Sequence, residues 1–253
     1  MKDLSHLGRE VHRRYDDLGV IQVFDDGNKR FLSFGTADEQ SCQLRVRPDQ
    51  PQHHYSRAMF AVISVLEQPP QRAAVMGVGG GVLIRALHHR FTELTIDAVD
   101  LRKAVISIAQ QYFGLPRDAR IRPCVSDAGE FLQQVTPASY DLLFSDLYLA
   151  EGLETGQLQA EFLDNARQAL TDQGWLVLNL WKEHREDGCF LPLLRERFRT
   201  VLHATTTDGN WIVWASPHSD YPDKKAVQLR AKQSATELGF NLWQSARGFF
   251  RHR

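Results

Sequence analysis

The chain has 253 residues, 43% of them hydrophobic and 24% charged, which is ample for a full core and suits one large domain or one domain with a small appendage. A formal net charge of -1 excludes a global attraction to nucleic acid or an anionic membrane. Three scattered cysteines (Cys42, Cys124, Cys189) exclude a disulfide framework, no apolar run approaches the ~20 residues of a spanning helix, and the polar start MKDLSHLGREVHRRY has no signal-peptide core, so a cytoplasmic setting is expected.

Residues 11–46 carry short alternating runs punctuated by turns, with Asp26-Gly27 as a hairpin cue between Gly19–Phe24 and Arg30–Phe34. A small antiparallel β unit is expected there. Arg45 to His54 holds two prolines and no periodicity, which fits a linker or lid. Tyr55 to Leu66 has Met59, Val62, Ile63 and Leu66 on one helical face, and Pro69-Pro70 ends it. Between Val75 and Asp100 an apolar run meets a glycine cluster, then a helical pattern, then a second apolar run closed by an acid. That order predicts strand, tight turn, helix and strand, the unit of parallel nucleotide-binding sheets.

Further on, a helix is predicted from about Lys103 to Phe113, and a strand over Ile121 to Ser126 leads to Asp127-Ala128. A short helix spans Glu130 to Val135, and an apolar strand, Tyr140 to Ser145, delivers Asp146 to its end. A helix over Gln159–Leu170, a buried strand over Trp175–Leu180 and a helix over Cys189–Phe198 follow. His203 to Ala215 reads as paired strands turning at Asp208-Gly209-Asn210. The fold class is therefore α/β, a Rossmann-like, mostly parallel sheet with an antiparallel edge, preceded by the β unit. The expected divisions are 1–54 (β unit and linker), 55–216 (nucleoside-binding domain) and 217–253. That last segment is a basic tail with Lys224, Lys225, Arg230, Lys232, Arg247, Arg251 and Arg253, expected to form a helix docked on the domain or on a partner subunit.

The chemistry concentrates where parallel strands end. Gly77, Gly79, Gly80 and Gly81 allow positive φ and close backbone approach to a ligand. The last place of a dinucleotide fingerprint is Val82, not glycine, which disfavours NAD-dependent redox chemistry. Asp100 is placed to accept from the hydroxyls of a ribose, and Asp127 from an adenine amino group. Asp146 lies where a reacting group would sit. His53-His54 and His88-His89 are adjacent pairs without metal-ligand spacing, so no metal is expected. The tryptophans, Trp181 among them, read as core or interface.

From Tyr15 to Ala215 the chain resembles the polyamine synthases (spermidine synthase and its relatives), which share the fold of AdoMet-dependent methyltransferases. The resemblance lies in RFLSFG followed by Gln40-Ser41, in Tyr55, and in GVGGGVLIR with Arg85. It continues in AVDLRKAV, VSDAGEF and YDLLFSDLY. It implies S-adenosylmethionine or its decarboxylated form as donor and methylthioadenosine as product. A small amine or another small acceptor is implied, as is a possible homodimer, with no membrane or nucleic-acid partner. It also implies a nucleoside site of Gln40, Gly77, Gly79, Gly80, Gly81, Asp100, Asp127 and Ala128. Asp146 would be the general base, with Tyr55 and Tyr148 orienting the acceptor.

The departures bear on the acids. The family's acid in the glycine turn is Gly80 here, and the second acid of its catalytic strand end is Leu149. The family's sugar-binding glutamate is the shorter Asp100, and the acid two places later is Arg102. Asp146 is then expected to stand nearly alone unless Glu151 or Glu154 folds in. Gly80, with exposed backbone N–H groups, is expected to welcome the carboxylate of ordinary AdoMet. Three outcomes stay open on the sequence: aminopropyl transfer, methyl transfer to another acceptor, and a non-catalytic binding module that retains the fold.

Overall fold

The apolar runs become the strands of two sheets. The structure is a computed structural model that describes residues 5–36, 39–150, 152–186 and 188–250. Strands β1 (Arg9–Asp16), β2 (Gly19–Asp26), β3 (Lys29–Ser33) and β4 (Ser41–Leu44) form an antiparallel meander in sequence order. β2 and β3 turn through the two-residue loop Gly27-Asn28, with Asp26 paired to Lys29, one residue on from the Asp26-Gly27 cue. β1 escapes pattern recognition because none of its residues is buried: REVHRRYD is polar on both faces of an edge strand.

α1 (His54–Phe60) is shorter than its sequence pattern indicates, because residues Ala61–Val65 tighten into a 3-10 turn that is buried throughout. Then come β5 (Arg72–Met76), α2 (Val82–Arg90), β6 (Thr95–Asp100), α3 (Lys103–Tyr112), β7 (Ile121–Val125) and α4 (Ala128–Gln134). β8 (Tyr140–Ser145) is followed by a small hairpin, β9 (Tyr148–Leu149) and β10 (Gly152–Leu153). The chain continues through α5 (Ala160–Ala169), β11 (Leu170–Trp181), α6 (Glu183–Glu186), α7 (Phe190–Arg197), β12 (Thr200–Thr205), β13 (Asn210–Ser216), α8 (Lys224–Leu238) and α9 (Leu242–Ala246).

The main sheet has the order β12-β13-β11-β8-β5-β6-β7. β11, β8, β5, β6 and β7 run parallel, while β13 pairs antiparallel with β11 and with β12. This is the Rossmann-like sheet with an antiparallel edge. Strand order reverses between β5 and β8, and there the connections leave in opposite directions and open a crevice.

Both faces of the sheet are covered, which is why its strands read as continuous apolar runs. Ala73 and Val75 face one core with Ile84, Ile106, Trp175 and Trp214, and Ala74 and Met76 face the other with Leu143, Leu163 and Leu178. The basic C-terminal segment belongs to the first core. Val227, Ala231, Leu238 and Leu242 are buried, and the Phe249 ring stacks on Trp214 with centroids 3.7 Å apart. Leu229 is left outward, and Arg251 and Arg253 lie outside the described residues.

Candidate active site

The glycine turn and Asp146 meet because β5 and β8 are neighbours. Met76 pairs with Ser145, and the Asp146 N–H donates to the Met76 carbonyl at 2.9 Å. Gly77 (φ +93°) follows, and a Cβ there would collide with the Asp146 carbonyl oxygen. Glycine at this position lets the turn and the end of β8 lie against each other.

Four amides of the turn are already engaged. Gly77 N–H donates to Val99 O (2.9 Å), Val78 N–H to Asp100 Oδ2 (2.9 Å), Gly80 N–H to Ser41 Oγ (2.9 Å) and Gly81 N–H to Val78 O (2.7 Å). The Gly79 N–H faces the cavity and helps lower the Asp100 carboxyl's affinity for a proton. Two expectations therefore change. Gly80 does not adopt positive φ, and a Cβ on it would point at the Phe113 ring and Ser41, 3.0 Å from each. Its N–H is not exposed to receive a carboxylate, since Ser41 of the N-terminal sheet holds it. Gly80 and Gly81 also fall outside the cavity wall, whereas Gly77, Val78 and Gly79 belong to it. Gly81 instead starts α2 in a left-handed conformation.

The strand-end acids share one cavity of about 520 Å³. Asp100 accepts from Val78 N–H and, through Oδ1, from Arg102 N–H at 2.9 Å. Burial pushes its carboxyl above the usual range, against the pull of these N–H groups and of the Arg102 charge. Asp127 caps α4, its Oδ1 accepting from Gly129 and Glu130 N–H at 2.8 and 3.1 Å, which leaves Oδ2 for a ligand. Ala128 lines the wall beside it, as does Gln40, whose carbonyl accepts from the Tyr55 hydroxyl at 3.3 Å.

At the other end sits Asp146. Burial raises its carboxyl to about 6, opposed by a 2.7 Å hydrogen bond from Asn179 Nδ2. Asn179 Oδ1 in turn accepts from Asn210 Nδ2 at 2.9 Å, so two amides from β11 and β13 brace the carboxylate. Burial, then the nearby Asp146 charge, keeps the Tyr55 and Tyr148 hydroxyls protonated far above neutral pH. They are donors and acceptors, not phenolate bases. His53 stacks on Tyr55 with centroids 5.2 Å apart, and its Nδ1 lies 3.4 Å from Glu39; burial lowers its affinity for a proton.

Asp146 is not alone. Glu39, Glu154 and Asp208 line the same cavity, giving six carboxylates with Asp100, Asp127 and Asp146. Glu154 spends one oxygen on Gly156 N–H (2.7 Å), and Glu151 lies outside the described residues. Trp181 is not a core residue: 42% exposed, it lines the cavity and covers Gly152, where a Cβ would meet its ring at 2.7 Å. Asn179 carried a signal, a lone polar residue inside the buried apolar run WLVLNL. Glu39 and Asp208 carried none, since only the packing of the N-terminal sheet and the β12–β13 turn brings them in.

The sequence and the fold have counterparts among known proteins. The spermine/spermidine synthase domain matches residues 52–187. A polyamine aminopropyltransferase of Chromobacterium violaceum is 25% identical over 241 residues, covering 92% of this chain and 90% of that protein. A human eEF1A lysine and N-terminal methyltransferase is 26% identical over 218 residues, 78% of this chain but 30% of the relative. Among solved structures, a probable spermidine synthase from Corynebacterium glutamicum superposes with a TM-score of 0.75 at 18% identity, over 87% of this chain and 86% of that one. With the domain match spanning more than half of its length, on the fold and the strand-end acids described above, this chain belongs to the spermine/spermidine synthase family.

Proposed function

We propose that this protein transfers an aminopropyl group from decarboxylated S-adenosylmethionine to a small amine acceptor. The observation that carries the reading is the charge of the cavity. Six carboxylates line it, and among the described residues its one guanidinium, Arg102, is already paired with Asp16 at 2.7 Å. A site of this kind is costly to leave empty of cations and favourable to fill with them.

Asp100 takes the ribose hydroxyls and Asp127 Oδ2 the adenine amino group, with Gln40, Gly77, Gly79 and Ala128 closing around the nucleoside. The donor's form follows from what the turn lacks. Ordinary S-adenosylmethionine brings a carboxylate into a wall of acids in which the amides of Gly77, Val78, Gly80 and Gly81 are already bonded, so that its charge meets like charge. The decarboxylated donor brings only its sulfonium and ammonium.

The acceptor amine, with an unperturbed pKa of about 10.4, enters as an ammonium beside Asp146. A sulfonium in the same cavity lowers that pKa, and Asp146 takes the proton. Tyr55 and Tyr148 orient the nitrogen, and Asn179 keeps the carboxylate in place. The freed lone pair attacks the methylene carbon bonded to sulfur, and the C–S electron pair leaves with sulfur as neutral methylthioadenosine. The wall supplies mainly positioning.

Methyl transfer from ordinary S-adenosylmethionine is the second reading, favoured by the similarity to the human methyltransferase and by the missing acid at Gly80. Calorimetric titration with both donors separates them. The decarboxylated form is expected to bind at least about tenfold tighter. Equal or tighter binding of the ordinary form would favour methyl transfer.

A further inference from the structure

Arg102 stands where the family pattern has an acid, and its side chain is only 4% exposed. Its Nε and Nη2 donate to the two carboxylate oxygens of Asp16 at 3.0 and 2.7 Å, and Nη2 also reaches the Gly19 carbonyl at 2.9 Å. The guanidinium carbon lies 4.8 Å from the centre of the Phe34 ring. Asp16 and Gly19 flank the turn between β1 and β2, so the whole guanidinium is gripped by the N-terminal sheet. The backbone N–H of the same residue donates to Asp100 Oδ1 at 2.9 Å. Asp16 is partly buried, which opposes its ionisation, yet the Arg102 pair and the Leu18 N–H hold its carboxyl below the usual range. A bidentate pair of this kind fixes direction as well as charge.

We propose that Asp16 is a positioning residue for the nucleoside site: by clasping Arg102 it sets the orientation of Asp100, so that adenosine binding and docking of the N-terminal sheet are one coupled event. The inference rests on the adenosine reading given above. Asp16 does not line the cavity, so it acts through Arg102. Ser41 of β4 makes a parallel connection, since its hydroxyl holds the Gly80 N–H at 2.9 Å. One sheet therefore braces both the ribose acid and the turn that packs on it. Coupling of this sort is reciprocal: a bound nucleoside stabilises the docked sheet to the extent that the docked sheet tightens the nucleoside.

The test uses the full chain with Asp16→Ala and the milder Asp16→Asn, titrated calorimetrically with methylthioadenosine well below their unfolding temperatures. Hydrogen–deuterium exchange across Arg9–Asp26 is followed with and without the nucleoside. The Ala variant is expected to bind roughly tenfold more weakly, the Asn variant by less, with KM for the amine acceptor held within about twofold. Nucleoside-induced protection of Arg9–Asp26 is expected in the native protein and lost in the Ala variant. Should Asp16→Ala fail to fold, Asp16→Asn alone decides. Folded variants that bind methylthioadenosine like the native protein overturn the clasp, as does a lowered Tm with unchanged affinity, which a purely packing role would give. A native protein that binds no methylthioadenosine overturns the adenosine reading itself, which the loss in variants alone cannot do.

Discussion

Replacing Asp146 by Asn should make the protein more stable while removing its activity. The carboxyl is partly buried in the cavity wall, and its folded pKa of about 6 stands above the unfolded value of 3.8. Between those two values the native state holds more protons than the unfolded state. Stability therefore falls as pH rises through that window, and the cost is fully present above pH 6. The gap of about 2 units corresponds to roughly 3 kcal/mol at pH 8, and to less than about 1 kcal/mol at pH 4. Asn is isosteric, and its Oδ1 still accepts from Asn179 Nδ2, so little packing is lost. Chemical denaturation of both proteins at pH 8 and pH 4 measures the difference. The variant should gain roughly 2–3 kcal/mol at pH 8, or about 4–10 °C in Tm, with most of that gain gone at pH 4. A variant less stable than the native protein at pH 8, or a gain that does not depend on pH, would refute the reasoning.

Asp100→Asn removes the charge and one acceptor oxygen, leaving Arg102 N–H opposite an amide. Methylthioadenosine affinity should fall about 10- to 100-fold by calorimetry. Gly77→Ala forces a Cβ onto the Asp146 carbonyl at a left-handed φ and should cost more than about 2 kcal/mol in denaturant melts. Gly80→Ala, which meets Phe113 and Ser41 at 3.0 Å, should cost about 1 kcal/mol. Truncation after Pro222 removes Val227, Leu242 and Phe249 from the core at about 1.5–3 kcal/mol each, so the truncated chain should lack a cooperative thermal transition.

The parts of the site legible in the sequence were those fixed by local pattern and by the handedness of parallel sheets. An acid after each apolar run must land at the carboxyl edge, so Asp100, Asp127 and Asp146 could be located without coordinates. The glycine cluster marked the turn, but not which way each residue faces. Gly80 points into the N-terminal sheet because Ser41, 39 residues earlier, caps its amide. Asp208 and Glu39 reach the cavity only through pairing of β13 with β11 and docking of the small sheet, contacts with no local signature. Arg102 looked like a lost acid, and only its packing shows it tied to Asp16 across 86 residues. β1 was hidden because an edge strand without a buried face has no alternation to read. The basic tail read as a helix docked on the domain or on a partner subunit, and the stacking of Phe249 on Trp214 makes it part of the core.

Mass-spectrometric product analysis tests the central claim most directly: the full chain incubated with decarboxylated S-adenosylmethionine and a panel of small amines, with ordinary S-adenosylmethionine as the parallel donor. The account predicts methylthioadenosine together with an amine heavier by one aminopropyl group, from the decarboxylated donor only, and none of either with Asp146→Asn. S-adenosylhomocysteine and a methylated acceptor from the ordinary donor, or no product from either with the nucleoside bound, would contradict it.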